Sequence, residues 1–276
     1  MSWVEAVVLG IIQGLTEFLP ISSSAHLRIS AALLGWDDPG AAFTAVTQLG
    51  TETAVLIYFR HDILKILSAW LRSFRRPELR SHPDARMGWL VILGSMPIGV
   101  LGLLFETQID SAFRDLRLTA VTLIVFGILL GIADRVGTKQ RRLDELTVRH
   151  GIAFGLAQAL ALIPGVSRSG GTITAGMLLG YRREAATRYA FLLAVPAVFA
   201  SGLYKLTDIG GGTPWGQTLV ATLVASAVGF VVIAWLMRFI STRSYMPFVF
   251  YRLALGALLI ALVAFGVLDP TAGLPA

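Results

Sequence analysis

The chain has 276 residues, a net charge of +6, 55% hydrophobic and only 14% charged residues, and no cysteine. Soluble domains are about 25% charged, so this composition excludes an ordinary water-soluble enzyme and predicts an all-α polytopic membrane protein. Disulfides, thiolate metal sites and a cysteine nucleophile are excluded too, and the surplus cations read as positive-inside loop residues rather than as a surface for nucleic acid.

Spanning a bilayer takes about 20 apolar residues, with a range of about 17–25. The first unit, residues 2–35, does not fit that pattern, because Gly, Pro and Ser break it into two short pieces. A helix over 4–19 would set Gln13 and Glu17 on one face. Pro20 ends it, since proline lacks an amide hydrogen and its ring clashes with the preceding turn. Ser22, Ser23 and Ser24 can cap a second helix starting near Ala25, with Ser23 and His26 on one side. Glu5 sits early and no basic leader precedes it, so no cleaved signal peptide is expected.

The first full span is expected over 41–59 and carries Gln48 and Glu52, four apart. The polar connection 60–86 mixes Ile63, Leu64, Ile66, Leu67, Trp70 and Leu71 with cations, the pattern of a helix lying on the membrane surface or of a linker with a few anchors. Spans follow over 87–105 and 118–134. A second broken unit occupies 150–180, and three more spans are expected over 187–206, 217–239 and 248–268, with a Gly-Gly-Gly-Thr-Pro turn at 210–214. Asp134, Arg28 and Glu5 read as interfacial.

The two broken units are copies. A shift of 145 positions sets Gly155 on Gly10, Gln158 on Gln13, Leu160 on Leu15, Val166 on Ile21, Ser167 on Ser22 and Ser169 on Ser24. Leu162 replaces Glu17 and Arg168 replaces Ser23, so one copy offers an acid and a hydroxyl where the other offers a cation. Each piece is too short to cross, and paired short pieces suit re-entrant hairpins whose irregular backbone is shielded by protein or cavity water. Connections 60–86 and 135–149 hold seven and five Lys/Arg, 182–188 and 238–252 three each, whereas 106–117 holds two and 205–216 one. Six spans plus two hairpins put every rich connection on one, cytoplasmic face. The expected organisation is a single membrane domain, 1–276, made of two inverted repeats, 1–140 and 146–276, with the first hairpin opening outward.

A charge at the bilayer centre costs about 2.5–3.5 kcal/mol on insertion scales, which makes Glu17 and Arg168 functional candidates. The plainer reading is a buried ion pair tying the hairpins together, and it is compatible with a catalytic role. Arg168 among Ser167, Ser169, Gly170, Gly171 and Thr172 reads as an anion cradle at a helix start. Opposed to Glu17, Ser23 and His26, it forms a constellation for phosphoryl transfer. A hydroxyl or imidazole would attack, while a divalent ion held by Glu17 and the substrate's phosphates offsets charge. Gln13 and Gln158 read as partners for loose backbone groups in the bends, and Gln48 and Glu52 as either cavity-facing or near the water interface.

The motif Gln13-x-x-x-Glu17, continuing through Phe18-Leu19-Pro20-Ile21-Ser22-Ser23-Ser24-Ala25-His26, and the motif Pro164-Gly165-x-Ser167-Arg168-Ser169-x-x-Thr172 resemble the bacterial undecaprenyl-diphosphate phosphatase family, known for bacitracin resistance. The likeness in length, span count and inverted halves covers essentially the whole chain. It implies hydrolysis of undecaprenyl diphosphate to the monophosphate and phosphate, at the outer side of the cytoplasmic membrane, recycling the lipid carrier for peptidoglycan synthesis. It also implies that Glu17 is the essential carboxylate, as metal ligand or base, that Ser23 or His26 is the nucleophile, and that Arg168 grips the diphosphate. Ser22, Ser167, Ser169, Gly170 and Thr172 would surround that diphosphate. Mg²⁺ or Ca²⁺ is the implied cofactor, with residue 13, a Gln in this chain where many members have Glu, as a further ligand. The implied partners are a polyprenyl diphosphate and membrane lipids, with a homodimer left open. The alternative is a carrier or flippase for a lipid phosphate or small anion, since opposed hairpins in inverted repeats also serve alternating access.

Overall fold

The computed structural model describes residues 1–110, 113, 115–205 and 215–271, so the turn expected at 210–214 lies outside the described residues. Ser2 and Glu5 form a reciprocal capping box that starts α1 (Trp3–Thr16), which accounts for Glu5. That helix stops three residues short of the expected end, because Pro20 disfavours helical backbone at the residue before it and the chain turns from Glu17 onward. Ser22 then caps α2 (Ser23–Leu34), two residues earlier than expected, and Gly35 closes it with a left-handed φ of 68°.

The remaining helices are α3 (Gly40–Tyr58), α4 (Arg60–Ser73), α5 (Pro83–Leu104), α6 (Glu106–Asp110) and α7 (Leu116–Val136), then α8 (Val148–Ala159), α9 (Arg168–Leu178), α10 (Arg183–Lys205), α11 (Trp215–Thr242) and α12 (Met246–Ala264). Five of them, α5, α7, α10, α11 and α12, are long and apolar enough to cross a membrane, and they fall on five of the six expected spans. This is a multi-pass helical membrane protein. The sixth expected stretch also forms a helix, α3, of 19 residues, but four threonines, Gln48 and Glu52 hold it below the apolar character of the five. Its Thr44 and Thr47 hydroxyls return to the carbonyls of Gly40 and Phe43, so they are satisfied within the helix.

Outward-facing Leu103, Val125, Leu219, Leu223 and Val231 are exposed, as a surface meeting hydrocarbon requires. The inner faces bury Phe18, Val55, Phe59, Ile173, Phe191 and Leu236 in one cluster that brings both bends together with α3, α10 and α11. The 145-residue correspondence reappears in packing: α1 lies along α11 as α8 lies along α5, and α7 pairs with α12 as α3 pairs with α10. Gly10 and Gly155 show why those contacts are so close. A Cβ on Gly10 would sit 2.6 Å from the Ala221 carbonyl oxygen, and one on Gly155 would press still closer on that of Gly94.

The connection 60–86 contains α4, which packs on α5 through Trp70, Phe74 and Trp89 and leaves Leu64, Leu67 and Leu71 exposed. Three charged residues are deeper than the sequence suggests. Arg252 belongs to α12 and is wholly buried rather than being a connection residue, which leaves Arg243 between α11 and α12 and the exposed Arg238 one turn before the end of α11. Asp134 is 4% exposed and accepts from Arg183 Nε at 2.5 Å and from the Tyr245 amide at 3.0 Å. Arg28 is 2% exposed and lies 3.5 Å from Asp38. Each is shielded from water by a counter-charge in the protein, Asp134 by the partly exposed Arg183 and Arg28 by the buried Asp38.

Candidate functional site

Both bends are built alike. Ser22 and Ser167, equivalent under the 145-residue shift, have φ of 75° and 71°. Non-glycine residues seldom adopt such a backbone, which costs about 1–3 kcal/mol and persists where surrounding contacts over-determine it. Each is an N-cap. Ser22 Oγ accepts from the Ala25 amide and pairs with Ser24 Oγ, while Ser167 Oγ accepts from the Gly170 amide and pairs with Ser169 Oγ. The bends also touch. The Gly165 amide donates to Ser22 Oγ at 3.1 Å, and Ser169 Oγ donates to the Leu19 carbonyl at 3.1 Å.

Glu17 lies where α1 ends, 6% exposed, and its carboxylate gathers the polar groups of both bends. Oε2 accepts from Ser23 Oγ at 2.6 Å and from Gln13 Nε2 at 2.7 Å. Oε1 accepts from Arg168 Nη2, so the acid of one bend meets the guanidinium of the other. Glu17, Glu52, Arg168, Ser169, Phe18 and Phe191 line a small cavity there.

The other expected residues divide. His26 does not pair with Ser23. Its Nδ1 lies 2.7 Å from the Ser22 carbonyl oxygen and its Nε2 2.7 Å from the Tyr251 hydroxyl, and the two rings stack at 5.5 Å. A carbonyl only accepts, so Nδ1 carries the proton and, in the neutral ring, Nε2 accepts from Tyr251. Thr172 is buried and its hydroxyl turns back to the carbonyls of Arg168 and Ser169, and the Gly170 amide is taken by Ser167. Of the second bend and its helix, Arg168 and Ser169 line the cavity, and Gly170 and Thr172 do not. Gln48 is half-buried and Glu52 wholly buried.

Gln13 Oε1 and both amide atoms of Gln158 are buried without a hydrogen-bond partner, so neither glutamine serves the loose backbone of its bend. That backbone is served by Arg252, which sequence reasoning missed. Its guanidinium donates to the carbonyls of Pro20, Gly165 and Val166 in the two bends, and of Thr122 and Leu123 in α7. The available signal was an arginine six residues into an otherwise apolar helix.

Among the described residues no three acidic or histidine side chains form a self-sufficient metal cage. Mg²⁺ typically binds through one or two carboxylates plus substrate phosphates. The Glu17 carboxylate and the unsatisfied Gln13 Oε1 fit that mode, being oxygens that suit a hard cation.

The model of the family described as bacitracin resistance protein BacA matches residues 6–258. The chain belongs to that family. BacA-family relatives match almost end to end. A Thermobifida fusca protein named undecaprenyl-diphosphatase is 68% identical, covering 99% of this chain and 94% of its own. A Micrococcus luteus protein of the same name is 64% identical, covering 98% and 100%, and a Streptomyces coelicolor undecaprenyl-diphosphatase 2 is 60% identical, covering 99% and 98%.

Proposed function

We propose that this BacA-family chain hydrolyses undecaprenyl diphosphate to undecaprenyl phosphate and inorganic phosphate, recycling the lipid carrier of peptidoglycan synthesis and conferring bacitracin resistance. The observation that carries the chemistry is the hydrogen bond from Ser23 to Glu17, with the Arg168 guanidinium on the carboxylate's other oxygen. It is a nucleophile–base pair beside a cation able to grip phosphate oxygens.

Ser23 Oγ attacks the terminal phosphorus while its proton passes to Glu17 Oε2. The bond from that phosphorus to the bridging oxygen breaks, and undecaprenyl phosphate leaves with the proton. Water then attacks the phosphoserine, giving a proton to Glu17, and Ser23 recovers one as phosphate departs. Arg168 and Ser169 hold the non-bridging oxygens as charge shifts between them. Bound at Glu17 and the diphosphate, with Gln13 Oε1 nearby, Mg²⁺ or Ca²⁺ would supply charge neutralisation. His26, held between Ser22 and Tyr251, fixes the start of α2 and with it the direction of Ser23.

The site sits between two re-entrant hairpins, α1–α2 and α8–α9, in inverted repeats 1–140 and 146–276, with α3 as the sixth span beside the five apolar helices. Matching caps at Ser22 and Ser167 and the matching packing of α1 on α11 and α8 on α5 support that reading. The segregation of arginine-rich connections supports a first hairpin opening to the outer face of the cytoplasmic membrane. There a polyprenyl tail stays in lipid while the headgroup enters. The test is phosphate release from a polyprenyl diphosphate by the purified protein with Mg²⁺ or Ca²⁺. Turnover is expected in the wild type and its loss in Glu17→Ala, whereas undiminished release by that variant would sink the assignment.

A further inference from the structure

Glu52 enters the site from α3, outside both bends. It is wholly buried, and neither carboxylate oxygen has a hydrogen-bond donor. Its Oε2 lies 3.8 Å from Arg168 Nη2, the same nitrogen that donates to Glu17, and Glu52 lines the cavity with both residues. An ionised carboxylate without donors is among the costliest groups to bury. One guanidinium faces two acids, and its hydrogen bond is committed to Glu17. With both acids ionised the cluster would hold one negative charge more than its guanidinium offsets, beside two oxygens without donors, a set that suits a hard divalent cation.

Residue 13 adds the second half of the argument. Gln13 contributes only a neutral amide, whose Nε2 is spent on Glu17. We infer that Glu52 is the second carboxylate ligand of the catalytic divalent cation, supplying from α3 the charge that Gln13 does not bring. This rests on the proposed binding of a cation at Glu17. Glu17 from the first bend and Glu52 from α3 would then hold the cation together, leaving room in its shell for oxygens of the diphosphate. Gln48, one turn earlier on α3 and half-buried, is outside this ligand set.

Mn²⁺ serves as the probe, with binding to the detergent-solubilised full chain followed by electron paramagnetic resonance, with and without a non-hydrolysable polyprenyl diphosphate analogue. Glu52→Gln keeps the shape and removes the charge, and it is expected to weaken Mn²⁺ binding at least tenfold and to raise the cation concentration for half-maximal phosphate release in parallel. Gln13→Glu/Glu52→Gln moves the carboxylate from α3 to α1 and is expected to recover most of the affinity, which a merely structural Glu52 would not allow. Unchanged Mn²⁺ affinity in a monodisperse Glu52→Gln protein overturns the inference while leaving the cation at Glu17 intact. No Mn²⁺ binding to the wild type, alone or with the analogue, overturns both.

Discussion

Replacing Arg252 with Met keeps comparable bulk and removes the guanidinium that donates to carbonyls of both bends and of α7. The carbonyls of Pro20, Gly165 and Val166 lie in non-helical backbone and lose contacts of 2.9, 2.5 and 3.2 Å. A buried acceptor left without a partner costs about 1–3 kcal/mol, so three set a ceiling of roughly 9 kcal/mol on the same scale. Removing the guanidinium also removes its own desolvation penalty, several kcal/mol per buried ion. The net loss is then about 3 kcal/mol, within the range for large single-residue effects. At about 2–4 °C per kcal/mol for a chain of this size, the unfolding midpoint falls by roughly 10 °C. Thermal unfolding in detergent followed by tryptophan fluorescence reads this directly, and phosphate release below the midpoint reads the loosened bends. Arg252→Lys should lie between the two proteins, because one ammonium cannot span five carbonyls. An Arg252→Met protein as stable and as active as the wild type would refute the reasoning.

Four further outcomes are expected. Glu17→Gln should lower turnover by about 10²–10⁴-fold, the usual worth of a positioned base, with the folded protein still monodisperse by gel filtration. Substrate-labelled phospho-enzyme, trapped by acid quench and mapped by mass spectrometry, should carry phosphate on Ser23, and label on His26 instead would make the imidazole the nucleophile and Ser23 its neighbour. Tyr251→Phe removes the hydroxyl partner of His26 but not the stacked ring, so turnover should fall less than tenfold, about the worth of one hydrogen bond of 0.5–1.5 kcal/mol. Gly155→Val places carbon against the Gly94 carbonyl, and overpacking of about 1–3 kcal/mol or more should lower the thermal midpoint even though the residue lies away from the Glu17–Ser23 pair.

The repeat was legible because it is written in consecutive residues: a 145-residue shift aligned the caps Ser22 and Ser167, and both proved to hold the same unusual backbone. Five spans were legible from run length alone, and α3 shows the limit of that signal, since its threonines lower its hydropathy yet close on their own helix and leave it intact. The meeting of Glu17 and Arg168 followed from the division of charge between the copies. What composition and spacing could not supply were contacts between distant elements. Arg252 looked like one more loop cation because its value lies in carbonyls contributed by residues 20, 122, 123, 165 and 166. His26 drew its candidacy from a neighbour three residues away, yet its ring answers to Tyr251, 225 residues on. Ser23 and Glu17, six apart across a turn, had no helical register to announce them.

Ser22 gripping the Gly165 amide, Ser169 reaching Leu19 and Arg252 clasping both loops weld the hairpins into one block. Prising them apart once per cycle would break all of these bonds together, which disfavours a cycle that parts the jaws. A greasy substrate would then have to enter edgewise from the surrounding lipid, and its product leave the same way. Throughput should follow the fluidity of the lipid more closely than any rocking of the protein's halves.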